Sequence, residues 1–325
     1  MDRKNGIDLF RFVGAFFIVC LHVKYETLDN DYVDSLRLLS RWAVPFFYIT
    51  TGFFLGYKIK NNNLDFEQIQ KNVTVLISIL IISSFVYLPL DIIKGRIPNS
   101  ISNILAGTYY HLWFIGSLLV GYIFIWYLFF IKKNNLLPCL SIGILFFALF
   151  TDSYDQLINK NIDFDLCRFL LSIPLMNVGI VLSKKESKIN LFNNKLLIVL
   201  ILTGIAIQFI EAEFFSKQFY YDKFLHQFLF GTIIISISLF ILSTKINIKE
   251  NLLSKFGREH SLFIYLYHPL ILIVIEATLT IIPNYTNFIR LIVPLIGFTL
   301  TLVFSVILSK YFPKIYNILN GKTQK

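Results

Sequence analysis

Long apolar stretches, separated by short polar segments, follow one another along almost the whole 325-residue chain. A helix needs roughly 17–25 mainly apolar residues to cross the hydrocarbon core of a bilayer. Ten stretches approach that length, and they run near 6–23, 38–57, 73–93, 111–131, 136–151, 166–183, 196–213, 225–242, 261–282 and 289–309. The pattern therefore predicts ten transmembrane helices, of which the fifth and sixth are short and begin beside Pro138 and Arg168.

Composition supports the same class of protein. Hydrophobic residues make up 56% of the chain and charged residues 15%, whereas a soluble domain carries about a quarter charged residues. The longest connections, near 23–37, 94–110 and 243–260, are too short to fold by themselves. We therefore predict an all-α polytopic protein in a lipid membrane, with residues 1–325 forming a single membrane domain and no soluble domain.

The distribution of basic residues predicts an orientation. Lys and Arg collect in alternate connections, within 3–4, 58–71, 132–133, 184–195, 245–258 and 310–325. Because basic loops stay on the cytoplasmic side, this bias predicts that both termini are cytoplasmic. It also accounts for the formal net charge of +10, so that no nucleic-acid partner is expected.

Two ionisable residues inside the first predicted span are the best guide to chemistry. Arg11 and His22 lie about 16 Å apart along one helix, at about 1.5 Å per residue. A charged group in the hydrocarbon layer costs a few kcal/mol by insertion scales, so such residues normally face a protein interior or a water-filled cavity. We therefore expect both side chains to point inward.

Further polar residues lie at the predicted outer ends of several spans, where they are candidate substrate contacts. They are Arg41, His111, Trp113, Asp152, Arg168 and Glu211. His268 lies deeper in the ninth span beside Pro269, and Asp8 shares a helical face with Arg11. Structural roles remain open for all of them: snorkelling to headgroups, an Asp8–Arg11 ion pair, an interfacial Trp113, or hydrogen-bonded histidines in the bundle. The three cysteines have no metal-like spacing, and no metal site is predicted.

Four segments resemble, in order and spacing, the successive signatures of the acyltransferase-3 family. They are Gly6-Ile-Asp-Leu-Phe-Arg11 with His22 after ten further residues, Arg41-Trp-Ala-Val-Pro-Phe-Phe-Tyr-Ile-Thr-Thr-Gly52-Phe, His111-Leu-Trp113-Phe, and Ser261-Leu-Phe-Ile-Tyr-Leu-Tyr-His268-Pro269. Together they cover most of the chain. The resemblance implies about ten helices in a cell membrane, expected to be the bacterial plasma membrane.

The resemblance also implies an activity. Family members transfer an acyl group, typically acetyl, from cytoplasmic acyl-CoA to a hydroxyl of a saccharide or another envelope acceptor, with acyl-CoA as co-substrate and no bound cofactor. Arg11 and His22 match the family's essential Arg and His. A neutral His can remove the hydroxyl proton as general base, and an Arg can bind phosphate or stabilise an oxyanion. A second motif of many members, two Arg separated by two residues in a cytoplasmic loop, has no counterpart here.

A narrower likeness implies a different function. Arg41, Tyr110-His111-Leu-Trp113, Asp152-Ser153, Glu211 and the His268 segment also resemble the membrane domain of the membrane-bound serine racemases of vancomycin resistance. That domain is thought to bring serine to a racemase domain, which we do not expect in this chain. Arg41 or Arg168 would then bind the carboxylate of serine, and Glu211 or Asp152 its ammonium group.

The alternatives predict different results. An enzyme should lose transfer when His22 is replaced, whereas a serine-transporting module should lose serine uptake when Arg41, His111 or Glu211 is replaced. A noncatalytic assembly partner in an envelope pathway should tolerate all of these substitutions.

Overall fold

The computed structural model describes residues 3–23, 31–59, 64–93, 105–158, 164–189, 191–219, 226–281 and 287–322. Within these ranges the regular structure is helical and contains no strand. Nine helical segments among the described residues are long and apolar enough to cross a membrane, and a shorter apolar helix covers Phe230–Lys245. The predicted all-α polytopic fold is confirmed. The cytoplasmic orientation of the termini stays a prediction.

The helices are numbered here in chain order. They are α1 (Asn5–His22), α2 (Asp31–Ser40), α3 (Ala43–Gly56), α4 (Phe66–Ile93), α5 (Trp113–Phe130), α6 (Leu137–Thr151), α7 (Asp155–Ile158), α8 (Phe164–Leu170), α9 (Ser172–Lys184), α10 (Glu186–Ile189), α11 (Asn194–Phe219), α12 (Phe230–Lys245), α13 (Leu252–Ile281), α14 (Asn287–Tyr311) and α15 (Pro313–Leu319). A single 3₁₀ turn, Asn134–Leu136, precedes α6.

Two predicted spans, 38–57 and 166–183, are each interrupted, and this corrects the prediction of continuous helices. The second span is broken at Arg41, so this residue lies between α2 and α3 and does not open a helix. The sixth is broken at Leu171, between α8 and α9. Pro45 and Pro174 are the third residues of the helices that restart, where a missing N–H costs no intrahelical hydrogen bond. The prolines therefore explain where both helices resume.

The ninth predicted span begins earlier than expected. Its helix α13 starts at Leu252, not near 261, because Asn251 and Ser254 form a reciprocal cap. The Ser254 amide donates to the Asn251 side-chain oxygen at 2.8 Å, and the Asn251 amide donates to the Ser254 hydroxyl at 3.0 Å. The predicted loop 243–260 therefore shortens to 246–251, and Arg258 is helical. Residues 24–30 and 94–104 of the other two predicted loops lie outside the described residues.

The chain divides into two compact units. The first comprises residues 1–47 and 192–316, and the second comprises 48–191 and 317–325. In the first unit, α1 packs against α13 and also contacts α2, α12 and α14, while α11 packs against α12. In the second unit, α5 packs against α4, α8 and α9, and α6 packs against α8 and α9. A single membrane domain over the whole chain stays a prediction.

Close helix contacts in both units depend on glycine. A methyl group on Gly257 of α13 would overlap the carbonyl oxygen of Asp8 on α1. In the second unit, methyl groups on Gly52 and Gly179 would overlap backbone atoms of the facing helix, so α3 and α9 touch there. Small residues that let helix backbones approach are the usual means of packing transmembrane helices. The α1–α13 contact is the one that positions the candidate site.

Candidate functional site

His22 and His268 meet inside the first unit, where the last turn of α1 faces the middle of α13. The Nδ1 atom of His22 lies 3.1 Å from Nε2 of His268, and the ring centroids are 4.9 Å apart. His268 is fully buried and His22 is partly buried. Val19 and Ile264 belong to the buried apolar cluster built around these two helices. Both histidines therefore face the protein interior.

Backbone carbonyl groups hold both rings. The His22 Nδ1 atom lies 2.8 Å from the carbonyl oxygen of Ile18, one turn back on α1. The His268 Nδ1 atom lies 2.9 Å from the carbonyl oxygens of both Ile264 and Tyr265. Since a carbonyl oxygen only accepts, Nδ1 carries the hydrogen in each ring.

Arg37 and Arg41 lie within electrostatic reach of His22. The charges of Arg41 and Arg37 act on its ring, and Arg37 donates a 2.7 Å hydrogen bond to the carbonyl oxygen of Val23, the residue after His22. Both arginines come from the segment at the end of α2 and the break after it. A neutral imidazole can remove a proton, and guanidinium groups can stabilise the negative charge that results.

Arg11 lies on the same helix as His22 but makes different contacts. Eleven positions are close to three helical turns, so the two residues share a side of α1 about 16 Å apart. Arg11 donates to the Asp8 carboxylate at 3.1 Å, and the other oxygen of that carboxylate lies 3.8 Å from Arg258 of α13. The Asp8 side chain is 9% exposed, whereas those of Arg11 and Arg258 are 23% and 22% exposed. Asp8 is thus shared by two arginines.

Asp8, Arg11 and Arg258 form a group that we call the Asp8 cluster, and further charged residues extend it toward the solvent. Arg258 also pairs with Glu250 and Glu259, each at 3.2 Å, and Arg3 pairs with Glu250 at 2.5 Å. The hydrogen bond from Arg258, together with the charges of Arg258 and Arg3, lowers the pKa of Glu250 below its ordinary value. The stabilisation from these pairs is therefore present at neutral pH and is lost as the pH falls through the pKa of Glu250. Because Glu250 is exposed, the effect is small and sensitive to salt.

We expect Asp8→Asn to destabilise the protein. The substitution removes the one carboxylate that Arg11 and Arg258 share and leaves two guanidinium groups facing each other, which costs about 1–3 kcal/mol for a largely buried partner. The thermal unfolding midpoint in detergent micelles measures the effect. Glu213→Gln is the control, because the Glu213–Lys217 pair is on the surface, with side chains 43% and 77% exposed. Equal shifts in the two variants would contradict the structural importance of Asp8.

Glu211 binds the start of a helix in the first unit. One of its carboxylate oxygens accepts the amide N–H of Phe230 at 3.1 Å, and the other accepts that of Gly231 at 3.0 Å. It therefore caps the N-terminus of α12, where a negative charge is favoured. Its predicted contact with a substrate ammonium group stays a prediction.

The remaining predicted site residues belong to the second unit. The guanidinium carbon of Arg168 lies 5.2 Å from the ring centroid of Trp113, a cation–π contact. His111 is buried and makes edge-on contact with the Tyr87 ring at 5.1 Å. Asp152 follows α6, is 6% exposed, and accepts a 2.8 Å hydrogen bond from Ser153. The predicted convergence of all these residues on one cavity stays a prediction.

The comparison with known families decides the assignment of the chain. A family model described as an acyltransferase domain, acyltransferase-3, matches residues 4–310. The chain belongs to the acyltransferase-3 family. Membership supports, in general terms, a membrane acyltransferase, and the resemblance predicted from the four motifs is confirmed. No solved structure matches the chain.

Three curated proteins that are similar to this chain are named as racemases of amino acids. An amino-acid racemase of Enterococcus faecalis is 26% identical over 99% of this chain and 48% of its own length. A second E. faecalis amino-acid racemase is 31% identical over 47% of this chain and 22% of its own length. A serine/alanine racemase of Enterococcus gallinarum is 22% identical over 66% of this chain and 34% of its own. The chain thus spans about half the length, or less, of these curated relatives.

Within the acyltransferase-3 architecture, sequence reasoning missed two arginines. Arg258 was counted only among the basic residues of a loop, although the Asn251 and Ser254 cap could have shown that a helix begins before it. Arg37 fell at the edge of the predicted loop 23–37, and the recurrence of a polar residue every three positions in 31–40 was the available signal for a helix there. Both arginines lie beside a residue that sequence did single out, Asp8 in one case and His22 in the other.

Proposed function

We propose that the protein transfers an acyl group, typically acetyl, from cytoplasmic acyl-CoA to a hydroxyl of an envelope saccharide or another exported acceptor, at the plasma membrane of a bacterium. The observation that carries the proposal is the partly buried contact between His22 and His268, on the two helices that hold the first and last family motifs. The family match over nearly the whole chain supports the type of reaction.

The transfer step follows from the chemistry of a neutral imidazole. His22 removes the proton of the acceptor hydroxyl while the oxygen attacks the thioester carbonyl carbon, which gives a tetrahedral oxyanion. Arg37 and Arg41 supply positive charge near that point. Collapse of the oxyanion breaks the carbon–sulfur bond, and His22 returns the proton to the leaving thiolate. The products are the ester and coenzyme A, and His22 is neutral again.

The donor would be held at the other end of α1. Arg11 and Arg258 are partly exposed, and their guanidinium groups would bind the phosphates of coenzyme A in place of the carboxylates that balance their charges in the structure. The pantetheine arm would then run along α1 toward His22. Arg258 would supply the second cation that the missing motif of two arginines supplies in many family members.

A coenzyme A release assay tests the proposal. Protein reconstituted in lipid vesicles is given acetyl-CoA with saccharide acceptors that carry free hydroxyls, and the free thiol is measured over time. We expect release that depends on the acceptor and ester formation in equal amount. If no acceptor increases thiol release and the protein does not bind coenzyme A, the proposal is wrong.

A second candidate function, the movement of a small amino acid, is favoured by the racemase relatives. One of them aligns over 99% of this chain, which covers 48% of that relative. Arg168 on the face of Trp113 would bind the carboxylate of serine, and Asp152 its ammonium group. The measurement is uptake of radiolabelled serine by vesicles, compared between the wild type and Arg168→Ala. Equal uptake with and without the protein would contradict this function.

A further inference from the structure

We propose that Pro269 and His268 fix the protonation of His22, so that Nε2 of His22 is the basic nitrogen that receives the acceptor proton. His268 is then a positioning residue. This inference rests on the proposed acyl transfer and specifies how its base is prepared.

The first step concerns Pro269. In an α-helix the N–H of residue 269 would donate to the carbonyl oxygen of Tyr265, but proline has no N–H. The Nδ1 atom of His268 lies 2.9 Å from that carbonyl oxygen and 2.9 Å from the one before it, on Ile264. The His268 ring thus supplies a donor to the carbonyl group that the proline leaves without its usual backbone donor.

The second step fixes the tautomer of His268. Its Nδ1 must carry the hydrogen because both neighbours are carbonyl oxygens, which only accept. In a neutral ring the other nitrogen, Nε2, is then an acceptor. His268 is fully buried, so bulk water does not compete for this nitrogen.

The third step fixes the tautomer of His22. The acceptor Nε2 of His268 lies 3.1 Å from Nδ1 of His22, and the carbonyl oxygen of Ile18 lies 2.8 Å from the same atom. Two acceptors facing one nitrogen require a hydrogen on it, which they share in a three-centre bond. The opposite arrangement, with His268 donating, would place a lone pair of His22 against the Ile18 carbonyl. Nδ1–H is therefore the form of His22 that satisfies all three groups, and Nε2 is left as its base.

The same hydrogen bonds also stabilise the His22 ring after it has accepted the proton. When Nε2 of His22 takes the acceptor proton, positive charge spreads to Nδ1–H, which donates to His268 and to Ile18 at once. Hydrogen bonds from a charged donor are roughly twice as strong as neutral ones. His268 thus plays the part that an orienting carboxylate plays beside a catalytic histidine, without bringing a negative charge into the membrane.

Nitrogen NMR of histidine-labelled protein tests the tautomer directly. The His22 signals are assigned by their loss in His22→Ala, and the couplings between ring nitrogens and carbon-bound protons separate a protonated nitrogen from a basic one. We expect a basic Nε2 and a protonated Nδ1 in His22, and the same pattern in His268. A His22 ring protonated at Nε2 would overturn the inference, whatever the activity.

Activity of His268 variants gives the second measurement. We expect His268→Ala to lower acyl transfer by about ten- to a hundredfold, the loss that follows when the hydrogen-bond partner of a metal-binding histidine is removed. His268→Gln should recover much of the rate, because its side-chain oxygen can accept from Nδ1 of His22. Pro269→Ala restores a competing N–H at Tyr265 and should weaken the hydrogen bond from Nδ1 of His268 to that carbonyl group. Equal rates in the Ala and Gln variants would overturn the positioning role.

The two proposals fail in different ways. If NMR gives the expected tautomers but His22→Ala still transfers acyl groups at the normal rate, the proposed function of His22 is wrong and the hydrogen-bond chain stands. If His22→Ala is inactive but the tautomers are reversed, the role of Pro269 and His268 is wrong and the acyl transfer stands.

Discussion

Replacing His22 with Ala is expected to lower acyl transfer by about 10²–10⁴-fold, the range that a general base contributes. The proposed reaction requires a proton acceptor, and the imidazole of His22 is that acceptor. Arg37 and Arg41 supply positive charge around it. Since alanine cannot accept a proton, the acceptor hydroxyl would have to attack while still protonated. The measurement is kcat from coenzyme A release in reconstituted vesicles.

Binding of the donor should survive in the same variant. The Asp8 cluster lies about 16 Å from His22 along α1, so the affinity for coenzyme A is expected to change little. His226→Gln is the control, because His226 is another histidine of the first unit, fully buried and in contact with Phe215. A normal transfer rate in His22→Ala, or an equal loss in His226→Gln, would contradict general-base catalysis by His22.

The number and approximate positions of the spans could be predicted because bilayer thickness sets a length that apolar stretches must meet. The interruptions at Arg41 and Leu171 were harder to see, since each lies inside a stretch that is long and apolar enough to count as one span. Pro45 and Pro174 were the available signals, because a proline favours the first turn of a helix over its interior. Hydropathy records which segments enter the membrane, whereas backbone hydrogen bonding decides where a helix begins.

The residues of the candidate site could also be predicted only in part. Arg11, His22 and His268 could be singled out because ionisable residues are costly inside a bilayer and therefore need a reason to be there. That His22 and His268 touch could not be derived, because the contact joins residues 246 positions apart and depends on the packing of α1 against α13. The cap that Glu211 gives to α12 could not be derived either, because Glu211 lies 19 and 20 positions before the two amides that it binds.

Gly257→Val, at the contact between α1 and α13, is the second substitution with a large expected effect. A methyl group at this position already overlaps the carbonyl oxygen of Asp8, so a branched side chain must push α13 away from α1. Overpacking of this kind costs about 1–3 kcal/mol of folding free energy. A displacement of about 1 Å between the two helices would separate His22 from His268 and reduce transfer by about a hundredfold.

Thermal unfolding and coenzyme A release, measured on the same preparation, separate the two effects of Gly257→Val. The control is Gly143→Ala, because no atom lies within 4 Å of a methyl group at Gly143 in the second unit. That substitution should be neutral or stabilise helix α6 by up to about 1 kcal/mol, since alanine favours the helical backbone. A Gly257→Val protein with normal stability and normal transfer would contradict the close α1–α13 contact, and with it the alignment of the two histidines.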